Sequence, residues 1–405
     1  MPELLPRNMI FDKKLDAGRI RRDFPTLGKM IYADSACMSL KPRQVIEKMN
    51  EYYYNYPACA GRSAHRYGRK LEEEIARARK EIAVFIGAKE KEIIFTKNAT
   101  EALNLAANGL RLKRGDEVII TDKEHSSNII PWLKLKKEIG IKVVICNTGT
   151  SGIDLEELRS LINNRTKLIS AVHVSNLDGM ENDISGIVKI ARKKGVRVMI
   201  DACQSAPHKT IDVKKIDCDF LAFSGHKMLG PTGTGVLYGK LKELEKLGMF
   251  IVGGETVLDA TYEDYKPEEI PARFEAGLQN YSGIIGLGEA CRYLKKVGMK
   301  NIEKHEKKLG DILRDGLRDV KGVEIIGSNS GVFNFNIKGM THHEVAKILD
   351  SGYGIMVRSG RHCVHEWYND HKIEGSVRAS FYLYNTEEEA ERFVSAVKEI
   401  ARIGN

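Results

Sequence analysis

Lys227 closes the run Ser224, Gly225, His226, Lys227, which follows a short apolar stretch and precedes the glycine-rich segment Leu229, Gly230, Pro231, Thr232, Gly233, Thr234, Gly235. It is one of 64 Lys and Arg residues, so its identity alone says nothing. Its setting says more: a strand ending in a polar turn presents an amine to a crevice, and a glycine-rich loop lets backbone approach a ligand there. Asp201 closes a second apolar run, Val196, Arg197, Val198, Met199, Ile200, and so places a carboxylate at another strand mouth. A strand-end Asp that merely caps the next turn would look the same. Asn98, Ala99, Thr100 and Glu101 follow a third strand and open an apolar helical run through Leu103, Leu105 and Ala106. Asn98 with Glu101 has the spacing of a helix N-cap and its returning acid. The free N–H groups of such a helix end also make a phosphate site, with the Thr100 hydroxyl as an added donor.

Each feature alone is commonplace. Together they match pyridoxal 5'-phosphate (PLP), whose aldehyde needs an amine, whose pyridine nitrogen needs an anion to stay protonated, and whose phosphate needs an anchor. His125, just after another strand, is either a surface loop histidine or an aromatic plate over a cofactor ring that can also move protons. Gln204 either donates to a phenolic oxygen or faces solvent. Cys363 lies in Arg358, Ser359, Gly360, Arg361, His362, Cys363, Val364, His365, and cationic surroundings favour the nucleophilic form of a thiol. A metal site built from His362, Cys363, His365 and His371 competes with that reading, but the spacing is tight and no second cysteine pair accompanies it. Arg378, in a probable strand, either forms a surface ion pair or turns its fork to an amino-acid carboxylate.

The elements that must position these groups follow from periodicity. Short β-branched runs at residues 92–96, 117–121, 142–146, 167–174, 197–201, 220–223 and 235–238 alternate with amphipathic helical stretches, which predicts a parallel sheet covered by helices. After about residue 285 the pattern becomes a long charged helix, strands near 332–337 and 354–357, and a closing helix at 386–403. The expected architecture is α/β, with a large domain at residues 26–285 and a smaller α+β domain made of residues 1–25 and 286–405. The chain has 405 residues, 42% hydrophobic and 29% charged, enough to bury a large core. The net charge of +9 is spread among acids rather than blocked, so a solvated basic surface is expected over a nucleic-acid patch. Seven scattered cysteines without a Cys-x-x-Cys pair argue against a disulfide framework. No signal peptide and no run of roughly 18 apolar residues is present, so a cytoplasmic protein away from membranes is expected.

Beyond these motifs the sequence resembles the class V aminotransferase branch of the fold type I PLP enzymes, and within it the group II (Suf-type) cysteine desulfurases and selenocysteine lyases. The likeness runs from Tyr32, Ala33, Asp34, Ser35, Ala36 through Arg62 to His65, Asn98 to Glu101, His125, His173 to Asn176, Asp201 to His208, Ser224 to Gly235, Phe274 to Gly277 and Asn280. It ends in Arg358 to Cys363 and Arg378 to Asn385. The Lys227 segment and Arg358-x-Gly-x-His-Cys363 are its most specific parts. The resemblance implies a mostly parallel seven-stranded sheet in the large domain and a homodimer. It makes Lys227 the Schiff-base lysine, His125 the ring-stacking residue and Asp201 the partner of the pyridine nitrogen. Gln204 and Asn176 would lie near the ring oxygen, while Ala99, Thr100, Ser224 and His226 hold the phosphate. Arg378 would bind the substrate carboxylate, with Arg358, His65 and Asn176 close by, and Cys363 would accept sulfur.

The implied reaction turns L-cysteine into L-alanine: Lys227 moves the α-proton, Cys363 attacks the substrate sulfur, and the resulting persulfide serves a sulfur-acceptor protein, as in iron–sulfur cluster assembly. Three positions depart from the family pattern: Leu278 stands near a usual Thr, Asp178 at a usually apolar place, and Arg361 at a common His. Competing functions are selenocysteine or cysteine/cystine lyase, a tRNA-dependent cysteine-forming PLP enzyme, suggested by Cys37, Cys59 and the basic charge, and a non-catalytic PLP-fold scaffold.

Overall fold

The computed structural model describes residues 15–149, 152–329 and 331–404. Seven strands form one sheet in the order Ile93–Thr96, Gly235–Gly239, Phe220–Ser224, Arg197–Asp201, Thr166–Val172, Glu117–Thr121, Lys142–Cys146. Gly235–Gly239 runs antiparallel to both neighbours and every other pairing is parallel. The expected strands are thus present, with ends moved by a residue or two. The strand expected at 167–174 stops at Val172, because Val174 leaves the ladder for an isolated bridge to Glu181.

Both faces of the sheet are covered. Ile93, Phe95, Val198, Ile200, Leu221 and Phe223 point into one core, while Ile94, Met199, Phe220 and Ala222 point into the other. That alternation at period two, in strands that are apolar throughout, is what a sheet sandwiched between helices requires.

The C-terminal part builds a four-stranded antiparallel sheet, Val323–Asn329, Val332–Ile337, Ser376–Ser380, Arg358–Gly360. Its own core includes Leu309, Phe333, Val345 and Phe393, contributed partly by the helices Met299–Leu317, His342–Tyr353 and Glu387–Gly404. The single charged helix expected after residue 285 is two helices, Tyr281–Val297 and Met299–Leu317, broken at Gly298 with φ 93°. The strand expected at 354–357 is only Ile355–Met356, and it pairs in parallel with Ile31–Tyr32. The segment that follows Tyr32 therefore runs along the C-terminal sheet, with Ala33 in that sheet's core and Asp34 bridged to Ser380. Residues 1–14 of the expected small domain lie outside the described residues.

Candidate active site

A cavity of about 160 Å³ opens where the carboxyl ends of the large sheet's strands face the C-terminal sheet. Ala99, Thr100, His125, Asn176, Asp201, Ser224, His226 and Lys227 line it from one side. Arg358, His362, Cys363 and Arg378 line it from the other. The ladder explains the first group: Val172 pairs with Asp201 and Asp201 with Ala222, so the ends of neighbouring strands lie at one level. Lys227 ends the short turn Gly225–Lys227 directly after Ser224. Asp201 is buried, and its Oδ1 accepts the Cys203 N–H at 2.9 Å.

Ser224 Oγ accepts the Ala99 N–H at 2.9 Å, which fixes the start of the helix Ala99–Gly109 over the strand. Asn98 caps that helix by accepting the Glu101 N–H at 3.0 Å, while Glu101 reaches back to the Lys97 N–H. A Cβ on Gly235 would sit 2.5 Å from Asn98 Cα. The glycine at that position is therefore there to admit the helix N-terminus.

Cys363 is clamped to the loop of His125. Its carbonyl accepts both the Ser126 N–H at 2.7 Å and the Ser126 hydroxyl at 2.9 Å. His362 and Cys363 have φ of 49° and 58°, consecutive left-handed residues without glycine. Such conformations cost on the order of 1–3 kcal/mol each and persist where surrounding contacts impose them. Asn176 Nδ2 donates to the His362 carbonyl at 2.7 Å and so holds the same turn from below. Arg378 is buried, donates to the Asn176 carbonyl at 2.9 Å, and leaves Nε without a partner. Arg358 stands opposite Arg378 in the antiparallel ladder, a like-charge pair that would repel. Asp34 answers it, with Oδ1 3.6 Å from Arg378 and Oδ2 3.9 Å from Arg358.

Three site histidines are neutral. Burial, then Lys227 and Arg378, pushes His125 down to about 3. Burial and Lys227 push His226 down to about 4, and burial with Arg378 and Arg358 pushes His362 down to about 2. His125 Nδ1 accepts the Ser127 N–H at 3.1 Å, which leaves the ring proton on Nε2. A group whose folded pKa is depressed stabilises fully above its unfolded value and loses that contribution as pH falls below it. His362→Gln is expected to reduce the pH dependence of stability by up to ~1.4 kcal/mol per pH unit below pH ~6.5. Chemical denaturation at a series of pH values between 6.5 and 4.5 measures this, and an unchanged slope would mean that His362 is charged in the folded protein.

Not every expected residue converges. His65 is an exposed helix N-cap whose Nδ1 accepts the Gly68 N–H at 3.3 Å, and it does not line the cavity. Gln204 donates to the Ala36 carbonyl at 2.7 Å, keeps Oε1 without a partner, and lines a neighbouring cavity of about 300 Å³ instead. The metal idea fails on geometry: His362 bonds Ser376 Oγ at 3.0 Å, and His371 stacks on Trp367 with ring centroids 4.0 Å apart. Among the described residues no cluster of three or more His, Cys, Asp or Glu side chains is able to hold a metal, and no helix is long and apolar enough to cross a membrane.

Sequence reasoning missed Asp34, Cys37 and Cys203 as cavity or near-cavity residues, and the Lys123–Asp178 pair. Lys123 Nζ reaches Asp178 Oδ2 at 2.7 Å and the Gly149 carbonyl at 2.6 Å, with both side chains buried. The unusual acid at 178 is thus the counter-charge of the lysine two residues before His125. Asp178→Leu is expected to cost about 3 kcal/mol in urea denaturation by stranding that lysine, and Lys123→Met in the same chain is expected to recover most of it. Equal losses in the single and double variants would refute the pairing.

The aminotransferase class-V family model matches residues 31–393. The chain belongs to the class-V aminotransferase family. A probable cysteine desulfurase of Methanothermobacter thermautotrophicus is 39% identical over 98% of this class-V chain and 100% of its own length. Among solved structures, the apo cysteine desulfurase of Thermococcus onnurineus superposes with a TM-score of 0.92 at 39% identity, over 97% of this chain and 100% of that one. The Escherichia coli cysteine desulfurase CsdA, solved as its S-sulfonic acid, gives 0.90 at 32% identity over 96% and 99%. PLP fits the class-V site by donor chemistry. An amine, a buried carboxylate and a hydroxyl-bearing helix N-terminus converge on one cavity, and the unpartnered Arg378 Nε is a buried donor for a carboxylate.

Proposed function

We propose that this class-V protein is a PLP-dependent cysteine desulfurase, which converts L-cysteine to L-alanine and keeps the released sulfur as a persulfide on Cys363. The observation that carries the reading is that Lys227, Arg378 and Cys363 open on one cavity. An amino acid whose carboxylate meets Arg378 then has its α-carbon and its sulfur within a space that also holds an amine and a thiol. The similarity to cysteine desulfurases supports the same reading.

When bound, PLP supplies the electron sink that makes the α-proton removable and the carbon–sulfur bond breakable. Lys227 would hold it by its amine and would move the α-proton. Asp201 would keep the pyridine nitrogen protonated, and His125 would stack on the ring. Ser224, Ala99, Thr100 and His226 would hold the phosphate, while Asn176 would serve the ring oxygen. Arg378 and Arg358 orient the substrate. Cys363 attacks the substrate sulfur, the carbon–sulfur pair of electrons returns to carbon, and alanine leaves after protonation.

The division into residues 26–285 and residues 1–25 with 286–405 is part of the proposal, as are a reducing cytoplasmic setting for seven unpaired cysteines and a sulfur-acceptor protein in iron–sulfur assembly. So is a homodimer: Ile251, Val252, Leu258, Tyr262 and Leu278 are large apolar side chains left exposed. The test is to incubate the PLP-loaded protein with L-cysteine, and in parallel L-selenocysteine, then quantify alanine and map persulfide by mass. Alanine with a persulfide on Cys363 is expected. Pyruvate and ammonia in place of alanine would overturn the reading in favour of a lyase.

A further inference from the structure

Three thiols line the cavity, Cys37, Cys203 and Cys363. Cys203 is fully buried against Asp201, and that burial pushes its thiol well above the usual range. Cys37 is different. It is only partly buried, and Arg358 Nη1 donates to its sulfur at 2.9 Å. Arg358 lies in the strand Arg358–Gly360, which leads within three residues to Cys363. A guanidinium beside sulfur stabilises negative charge there, and in thiol exchange both the attacking and the leaving sulfur carry such charge. The same corner holds the unpartnered Nε of buried Arg378 and the unpartnered Nδ1 of buried His362, two buried polar atoms left for something bound beside the two thiols.

We propose that Cys37 is a second sulfur-accepting residue of this active site, taking the sulfane sulfur from the Cys363 persulfide. This rests on the desulfurase reading. Cys37 sulfur attacks the outer sulfur of the persulfide, the bond from that outer sulfur to Cys363 Sγ breaks as the bond to Cys37 Sγ forms, and Cys363 leaves as a thiolate that takes up the proton lost from Cys37. Nothing is oxidised or reduced overall. The exchange frees Cys363 for a second attack while the first sulfur waits beside Arg358.

The test uses the full-length, PLP-loaded protein with excess L-cysteine and neither reductant nor acceptor. Alanine per active site is measured in the initial burst, and persulfides are trapped by alkylation and mapped by mass. The wild type is expected to release about two alanines per site and to carry label on Cys37 as well as Cys363, because each thiol stores one sulfur. Cys37→Ser is expected to halve the burst and confine the label to Cys363. Cys363→Ala is expected to leave Cys37 unlabelled, since Cys37 receives its sulfur only through Cys363. Label confined to Cys363 in the wild type, with a burst that Cys37→Ser leaves unchanged, would overturn the second acceptor while leaving the desulfurase reading intact. No alanine and no persulfide in the wild type would overturn both. Label on Cys37 in the Cys363→Ala variant would also overturn the relay.

Discussion

Lys227→Ala is expected to give a folded protein that no longer holds PLP covalently and turns over L-cysteine at least ~10⁴-fold more slowly. The turn that presents Lys227 is shaped by its neighbours. A Cβ on Gly225 would lie 2.3 Å from Thr234 Oγ1, and the Met228 N–H closes the turn on the Gly225 carbonyl at 3.0 Å. Removing the amine therefore tests chemistry rather than folding. The readout is borohydride reduction of the loaded protein followed by peptide mapping, which should mark Lys227 in the wild type and nothing in the variant. A second amine makes the experiment decisive. Lys41 reaches the His226 carbonyl at 3.2 Å, and burial pushes it down to about 8, the range in which an amine is a competent nucleophile. Label on Lys41 in the wild type would overturn the assignment of Lys227.

Much of this site was readable because strands announce their ends. Asp201, Ser224 and Lys227 follow apolar runs, and the Asn98 cap follows another, so the residues that the large sheet brings to one cavity were legible from pattern. The contributions that escaped come from segments without periodicity. Asp34 and Cys37 follow a two-residue strand, Ile31–Tyr32, whose partner lies more than three hundred residues away. Nothing local signals that pairing. The opposition of Arg358 and Arg378 is likewise a register fact of an antiparallel ladder, and only register shows why Asp34 must sit between them.

Gln204 shows the reverse failure. Its spacing from Asp201 suggested the ring oxygen, but the turn after Asp201 directs the amide to the Ala36 carbonyl. Asp178 stood out only as an acid at a usually apolar place, and its burial against Lys123 gives it a structural partner. In both cases the side chain's identity was informative and its direction was not, because direction is set by tertiary contacts that no single segment encodes.

Cys363→Ala is expected to retain the cofactor's yellow colour and lose alanine formation from L-cysteine by on the order of 10³-fold or more. The backbone of this loop is held independently of the thiol. Ser126 donates twice to the Cys363 carbonyl, Asn176 holds the His362 carbonyl, and the Val364 N–H bonds back to the Arg361 carbonyl at 2.8 Å. Alanine keeps the Cβ, so the left-handed φ of 58° remains no worse than in the wild type. The substitution therefore removes the sulfur atom and little else, and absorbance of the bound cofactor reports that the rest of the site survives. The competing chemistry is elimination, which needs Lys227 and the electron sink but no protein thiol. An elimination enzyme would go on releasing sulfide with pyruvate and ammonia after the change. A desulfurase cannot, because the carbon–sulfur bond breaks only as sulfur passes to Cys363: Cys203 is held by burial in its unreactive form, and Cys37 takes sulfur only from the Cys363 persulfide. Undiminished alanine formation in Cys363→Ala would sink the assignment, and undiminished sulfide release with pyruvate would replace it with the lyase.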